Sequence, residues 1–168
     1  AGQGAATTAG RRAAAQGRLS EARMRSATRG YLQFVETAAP AEALWRALTD
    51  PGELRAWHAE LAEVDARPGG RYSVKSRLFG RREAHVDMLE PLRRLRLIYD
   101  SSPDWPPLED TAVVEDFVID ERRGKRVLRV LGSGVPDVPA WDAAHRRLQA
   151  GWAIALAQLV RRLEAPVA

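Results

Sequence analysis

Large apolar side chains alternate with polar ones from Tyr31 to Thr37 (YLQFVET), the period of a half-buried strand. The period then lengthens. Pro40 opens a helix whose apolar stripe is Leu44, Trp45 and Leu48. Asp50, Pro51 and Glu53 have the spacing of a capped start to a second short helix, reaching to about His58. Gly69-Gly70 introduces a series of strands. In Arg71–Leu78, Tyr72, Val74, Ser76 and Leu78 share one face and Arg71, Ser73, Lys75 and Arg77 the other. Phe79 to Arg82 reads as a turn, residues 83–89 as a strand ended by Pro91, and Leu95, Leu97 and Tyr99 as one face of the next. A Pro-rich loop over 102–108 carries Trp105. Residues 111–120 and 125–131 then flank a turn, as a hairpin does. Last comes a long helix between Pro139 and Glu164, with Trp141, His145, Leu148, Trp152, Leu156, Leu159 and Leu163 on one face. Gly151 in its middle costs about 1 kcal/mol relative to Ala, which marks a close approach or space left for something else.

Composition refines this reading in two ways. The 168 residues, 45% of them hydrophobic, suffice for one globular domain, expected over residues 31–165. Residues 1–30 form an Ala- and Arg-rich extension with at most marginal helix over 13–15 and 19–27. That extension holds six arginines and one acid; removing them from the 26 basic and 22 acidic residues leaves 20 and 21. The positive charge therefore belongs to the arm, and no nucleic acid partner is expected for the domain. The chain has no cysteine, which excludes disulfides, thiolate metal sites and a thiol nucleophile, and is compatible with the cytoplasm expected as its location. No apolar run approaches the roughly 20 residues of a membrane span, and no signal peptide is visible.

Four motifs follow one another in a telling order: WRALTDPGELRAW from Trp45 to Trp57, RPGGRY from Arg67 to Tyr72, EPLRRL from Glu90 to Leu95, and Gly151-Trp152 followed by Leu156 and Leu159. Over residues 31–164 the sequence resembles the SRPBCC or START-like superfamily. Within it, the chain is most similar to bacterial relatives of the activator of the ninety-kilodalton heat-shock-protein ATPase. The resemblance implies an α+β helix-grip fold: a curved antiparallel sheet of about six or seven strands around a long C-terminal helix, with two short helices after the first strand. It also implies a cavity between sheet and helix for apolar or amphipathic small molecules, with chemistry there in a minority such as polyketide cyclases. Chaperone binding by the eukaryotic namesake does not carry over, because that protein adds a separate domain for it.

Strand alternation turns Tyr72, Val74, Leu78, Val86 and Met88 toward the helix, and likewise Leu97, Tyr99 and Phe117. From the helix, Trp141, His145, Leu148 and Trp152 face back, while Trp45 and Trp57 come from the short helices and Trp105 is placed as a lid. Such a set suits a ligand pocket, although periodicity does not tell a hollow core from a filled one. His145 is the histidine on an inward face, able to hydrogen-bond a ligand or to be satisfied by the protein. Glu115 shares a face with Val113, Phe117 and Ile119, so it needs a partner or a raised pKa, and it is a candidate anchor or acid/base. His85 shares a face with Glu83 and Asp87, but Val86 and Met88 claim the inner side, which turns it to solvent. His58 at a helix end reads as structural. The arginine pairs, 81–82 among them, read as solvated surface.

No phosphate loop, nucleophile elbow or metal-ligand spacing is present, so neither cofactor nor metal is expected. The expected function is binding of a hydrophobic small molecule rather than catalysis. Two rivals stand beside it: a polyketide cyclase or dehydratase using His145 or Glu115, and a protein-interaction or stress-related module using the basic arm. An uncovered sheet face and the arm leave room for a homodimer.

Overall fold

The computed structural model describes residues 27–166, and the expectations placed on residues 1–26 lie outside that span. Strand β1 (Thr28–Thr37) leads into helices α1 (Ala41–Thr49) and α2 (Pro51–Trp57). Six strands follow: β2 (Leu61–Val64), β3 (Arg71–Ser76), β4 (Gly80–Glu90), β5 (Arg94–Tyr99), β6 (Val113–Arg122) and β7 (Lys125–Pro136). A 3₁₀ turn (Pro139–Trp141) then enters helix α3 (Asp142–Leu163). The strands form one sheet in the order β1-β7-β6-β5-β4-β3-β2, antiparallel at every pair. Helix α3 lies along the inner face against β1, and α1 and α2 close the end between them. This is the helix-grip architecture that the resemblance implied.

Local chemistry accounts for the element ends. The Asp50 carboxylate accepts from the Glu53 N–H at 2.9 Å, which starts α2 as its spacing predicts. Pro40 occupies the N-cap of α1 rather than its first turn. Tyr72 donates to the Leu48 carbonyl at 2.7 Å and Trp57 to the Ala47 carbonyl at 2.9 Å, tying α1 to the sheet and to α2. Side chains of Leu44, Leu54, Leu95, Leu128, Leu156 and Leu159 fill the interior around these ties.

Four placements differ from the sequence reading, each for a local reason. Strand β3 stops at Ser76, so Leu78 sits in a turn and the fully buried Phe79 takes the inward position. Gly80, at φ 67°, begins β4 directly after it, which makes Arg82 an inner-face residue instead of a turn residue. A bulge between Val86 and Met88 reverses the alternation: Val86 lies opposite Leu97, but Met88 lies opposite Arg96 and Leu89 opposite Leu95. Met88 therefore leaves the inner face and Leu89 takes it. Trp141 belongs to the 3₁₀ turn and not to the helix. Strand β2, four residues long with only Ala62 buried, gave the sequence too little period to detect.

The outer face is a lattice of cross-strand ion pairs. Asp116 receives Arg94 at 2.9 Å and Arg96 at 3.0 Å, Arg129 pairs with Asp120, and Arg71 reaches Glu83 at 3.1 Å. His85 belongs to this face, 3.9 Å from the Asp100 carboxylate.

Candidate functional site

At the centre of the inner face lies an acid. The alternation of β6 that buries Val113, Phe117 and Ile119 also buries Glu115, whose exposure is 0%. Its cross-strand neighbours are Leu97 on β5 and Gly132 on β7. Gly132 has no side chain to block the ring of Tyr31, which lies across it from β1; a Cβ there would overlap the ring. Four donors thereby converge on one carboxylate. Arg82 Nη1 lies 2.8 Å from Oε1, Trp152 Nε1 2.7 Å from Oε1 and the Tyr99 hydroxyl 2.6 Å from Oε2, while the Tyr31 hydroxyl donates to Oε1.

Burying a carboxylate costs several kcal/mol unless a counter-charge and hydrogen bonds replace water, and this cluster supplies both. Burial, reinforced by the Glu115 charge, raises the Tyr31 hydroxyl well above its ordinary range. Burial does the same to Tyr99, with Arg82 opposing and Glu115 adding. Burial is the largest single influence on Arg82 and works against its charge, but Glu115, Tyr99 and Tyr31 together outweigh it, so the guanidinium is held in its charged form. The phenols therefore remain donors and the Arg82 guanidinium remains charged, 2.8 Å from the Glu115 carboxylate.

His58, the C-cap of α2, stands beside this cluster. Its ring stacks on Trp57 at 4.8 Å and on Trp152 at 5.5 Å, with Phe79 edge-on at 5.5 Å. Burial lowers its pKa to about 4, with the Arg82 charge adding to the effect and Glu115 opposing it. The imidazole is neutral at pH 7, and its Nδ1 is buried with no hydrogen-bond partner among the described residues.

Two small cavities flank Arg82 and Tyr99. One, about 20 Å³, is bounded by Trp57, His58, Tyr72, Phe79, Phe117 and Trp152 together with Leu48, Leu54, Val74 and Ser76. The other, also about 20 Å³, lies under the loop that carries Trp105, against Leu108, Val113, Trp141 and Leu148. Each holds one water-sized group. Trp105 covers the second: it stacks on Trp141 at 6.4 Å, and its Nε1 donates to the Phe79 carbonyl at 3.0 Å. The guanidinium groups of Arg147 and Arg82 lie 4.9 Å and 5.5 Å from the Trp105 ring.

The structure thus brings Trp57, Tyr72, Val74, Tyr99, Phe117 and Trp152 around one cavity, and Trp105, Trp141 and Leu148 around the other. Val86 and Leu97 lie in the packed core, and Trp45 is partly buried at its edge; none of the three lines either cavity. Leu78, which packs at the edge of the core, Met88 and His145 likewise line neither cavity. His145 Nε2 lies 2.9 Å from the Gly30 carbonyl, so the flank of α3 holds β1 and the ring does not reach the interior. Sequence reasoning missed Tyr31, His58, Phe79 and Arg82. For Arg82 a signal existed: it lies two residues before Ala84 and four before Val86, on the inward phase of β4.

Fold and site together define a helix-grip domain with a buried ionic centre. Residues 38–164 match the sequence model of the family Activator of Hsp90 ATPase homolog 1-like protein, and the chain belongs to that family. Solved structures share the fold. MLL2253 from Mesorhizobium loti is 24% identical, over 81% of this chain and 97% of its own, with a TM-score of 0.69. CalU16 from Micromonospora echinospora is 19% identical, over 84% and 78%, at 0.65. Aha1 from Colwellia psychrerythraea, solved as a dimer, is 16% identical, over 81% and 96%, at 0.66. No protein of curated function matches the sequence.

Proposed function

We propose that the domain binds a hydrophobic or amphipathic small molecule between the sheet and α3. The observation that carries this reading is an aromatic-walled interior containing a buried imidazole nitrogen that the described residues do not satisfy. Buried polar atoms in folded proteins nearly always find partners, and exceptions call for a ligand, an ion or a water. Ligand sites combine apolar walls with a few polar groups in this way. The charges of Arg82 and Glu115 offset one another and His58 is neutral. The interior therefore favours an uncharged ligand with a planar apolar body and one hydroxyl or carbonyl group for His58. Cavities of about 20 Å³ admit only part of such a molecule. Entry thus requires the Trp105 loop to swing outward, breaking its stack on Trp141 and its bond to Phe79.

Native mass spectrometry of the purified chain, before and after organic extraction, tests the proposal. A small-molecule adduct that extraction removes and that rebinds would support it. A bare mass that no uncharged aromatic compound shifts would reject it. A proton-transferring enzyme of cyclase or dehydratase type is a second reading, favoured by one observation: His58 is a neutral imidazole without a committed Nδ1. Glu115, engaged by four donors, is poorly disposed to give or take a proton. On that reading a ligand recovered by extraction is converted by the wild type and left intact by His58→Phe; equal conversion by both would exclude it.

A further inference from the structure

On the outside of the Trp105 loop lies a groove of about 230 Å³. Pro106, Pro107, Pro136, Val138 and Trp141 give it an apolar floor, and the exposed Glu109 and Asp110 stand at its rim. Thr111 forms part of its wall, and its hydroxyl is buried without a partner among the described residues. The N-terminal chain arrives at this place. Asp137 N–H donates to the Ala27 carbonyl at 2.9 Å, and Thr28 lies opposite Pro136. Arg29 then pairs with Asp142 at 2.6 Å and Asp137 at 3.6 Å, fixing the start of β1 beside the groove.

Residues 1–26 contain five arginines and a single acid, Glu21. Arg25 is two residues and Arg23 four residues upstream of the anchored Ala27, within roughly 7 and 14 Å of extended chain. Both reach the rim. Met24 between them brings a flexible thioether, a side chain suited to irregular apolar surface and to the edge of an aromatic ring. We propose that the segment Arg23–Arg25 docks in this groove of its own chain, with Met24 on the Trp141 and proline floor and the two guanidinium groups against Glu109 and Asp110. The occupant is argued from where the arm joins the domain and from opposite charge, and it does not depend on the ligand reading. One consequence bears on that reading: the groove and the cavity beneath the loop share Pro106 and Trp141, so a docked segment braces the Trp105 loop in its inward position.

The sequence offers a direct probe, since its only methionines are Met24 and Met88. Methyl-labelled methionine in the full chain gives two signals, assigned with Met88→Leu. The expected result is a Met24 methyl signal displaced upfield by the Trp141 ring, with a nuclear Overhauser contact to that ring, at a position independent of protein concentration. Glu109→Lys with Asp110→Lys should return the signal to the position of an unstructured chain, as should 1 M salt, where the screening length falls to about 3 Å. A Met24 methyl at the unstructured position in the wild type would overturn the proposal. So would a displacement that the two lysines leave unchanged. A displacement that grows with protein concentration would assign the groove to the arm of a second copy and overturn docking within the chain.

Discussion

Arg82 and Glu115 carry opposite charges into the interior, where each would be costly alone. Glu115→Leu, which strands the guanidinium, is expected to destabilise the domain by about 3–5 kcal/mol in urea unfolding. Adding Arg82→Met should cost less than the sum of the two single changes, by about 2 kcal/mol. Strict additivity would mean that the pair is not coupled. His58 yields a pH prediction. Its native pKa of about 4 lies below the ordinary 6.5, so below pH 6.5 the unfolded chain takes up a proton that the native state refuses. Stability is fully present above pH 6.5 and falls as pH drops toward 4. Between pH 7 and 5 the loss amounts to about 2 kcal/mol, and His58→Phe, which keeps a stacked ring, should abolish it. Equal urea midpoint shifts in both proteins would show that His58 is not the group responsible. Glu115 was legible in the sequence because strand alternation forced either it or Asp116 inward, and the demand for a partner followed. Arg82 shares the inward phase of Ala84 and Val86, but the turn-like composition of Phe79–Arg82 masks that phase, and the early start of β4 is what turns the side chain in.

Elements meet where small residues allow them to. Gly151, in the middle of α3, faces the ring of Phe79, and a Cβ there would fall within the van der Waals radius of the ring. The helix cost of that glycine is readable in the sequence; the ring that requires it is not, since Phe79 to Arg82 has the composition of a turn. Gly151→Ala gains helix propensity but forces Phe79 out of place, so a net loss of about 1–3 kcal/mol is expected, seen as a lower thermal midpoint. A rise in the midpoint would mean that the Phe79 contact is easily relaxed. The bulge in β4 shows a different limit. A period of two identifies the faces of a strand only up to the first extra residue, and past Val86 the assignments of Met88 and Leu89 exchange. The two short helices and α3 were legible because caps and a three-or-four period persist over enough residues; β2, at four residues, offers neither.

At the scale of the molecule, a seven-stranded sheet closed by α3 encloses an ionic centre and two small cavities, one walled by Trp57 and Trp152 and the other by Trp105 and Trp141. Element order and motif spacing made the architecture readable from sequence. How far the interior is filled was not readable, because it depends on ring orientations across five elements. On the ligand-binding proposal, this interior, reached past Trp105, is where the small molecule goes. Titration of ¹⁵N-tryptophan-labelled protein with 2-naphthol, followed through the five indole N–H signals, tests it most directly. Binding there should move the signals of Trp152, Trp57 and Trp105 together to saturation while that of Trp45 stays in place. Saturable movement of Trp45 with Trp152 and Trp57 unmoved, or no movement at all, would contradict it.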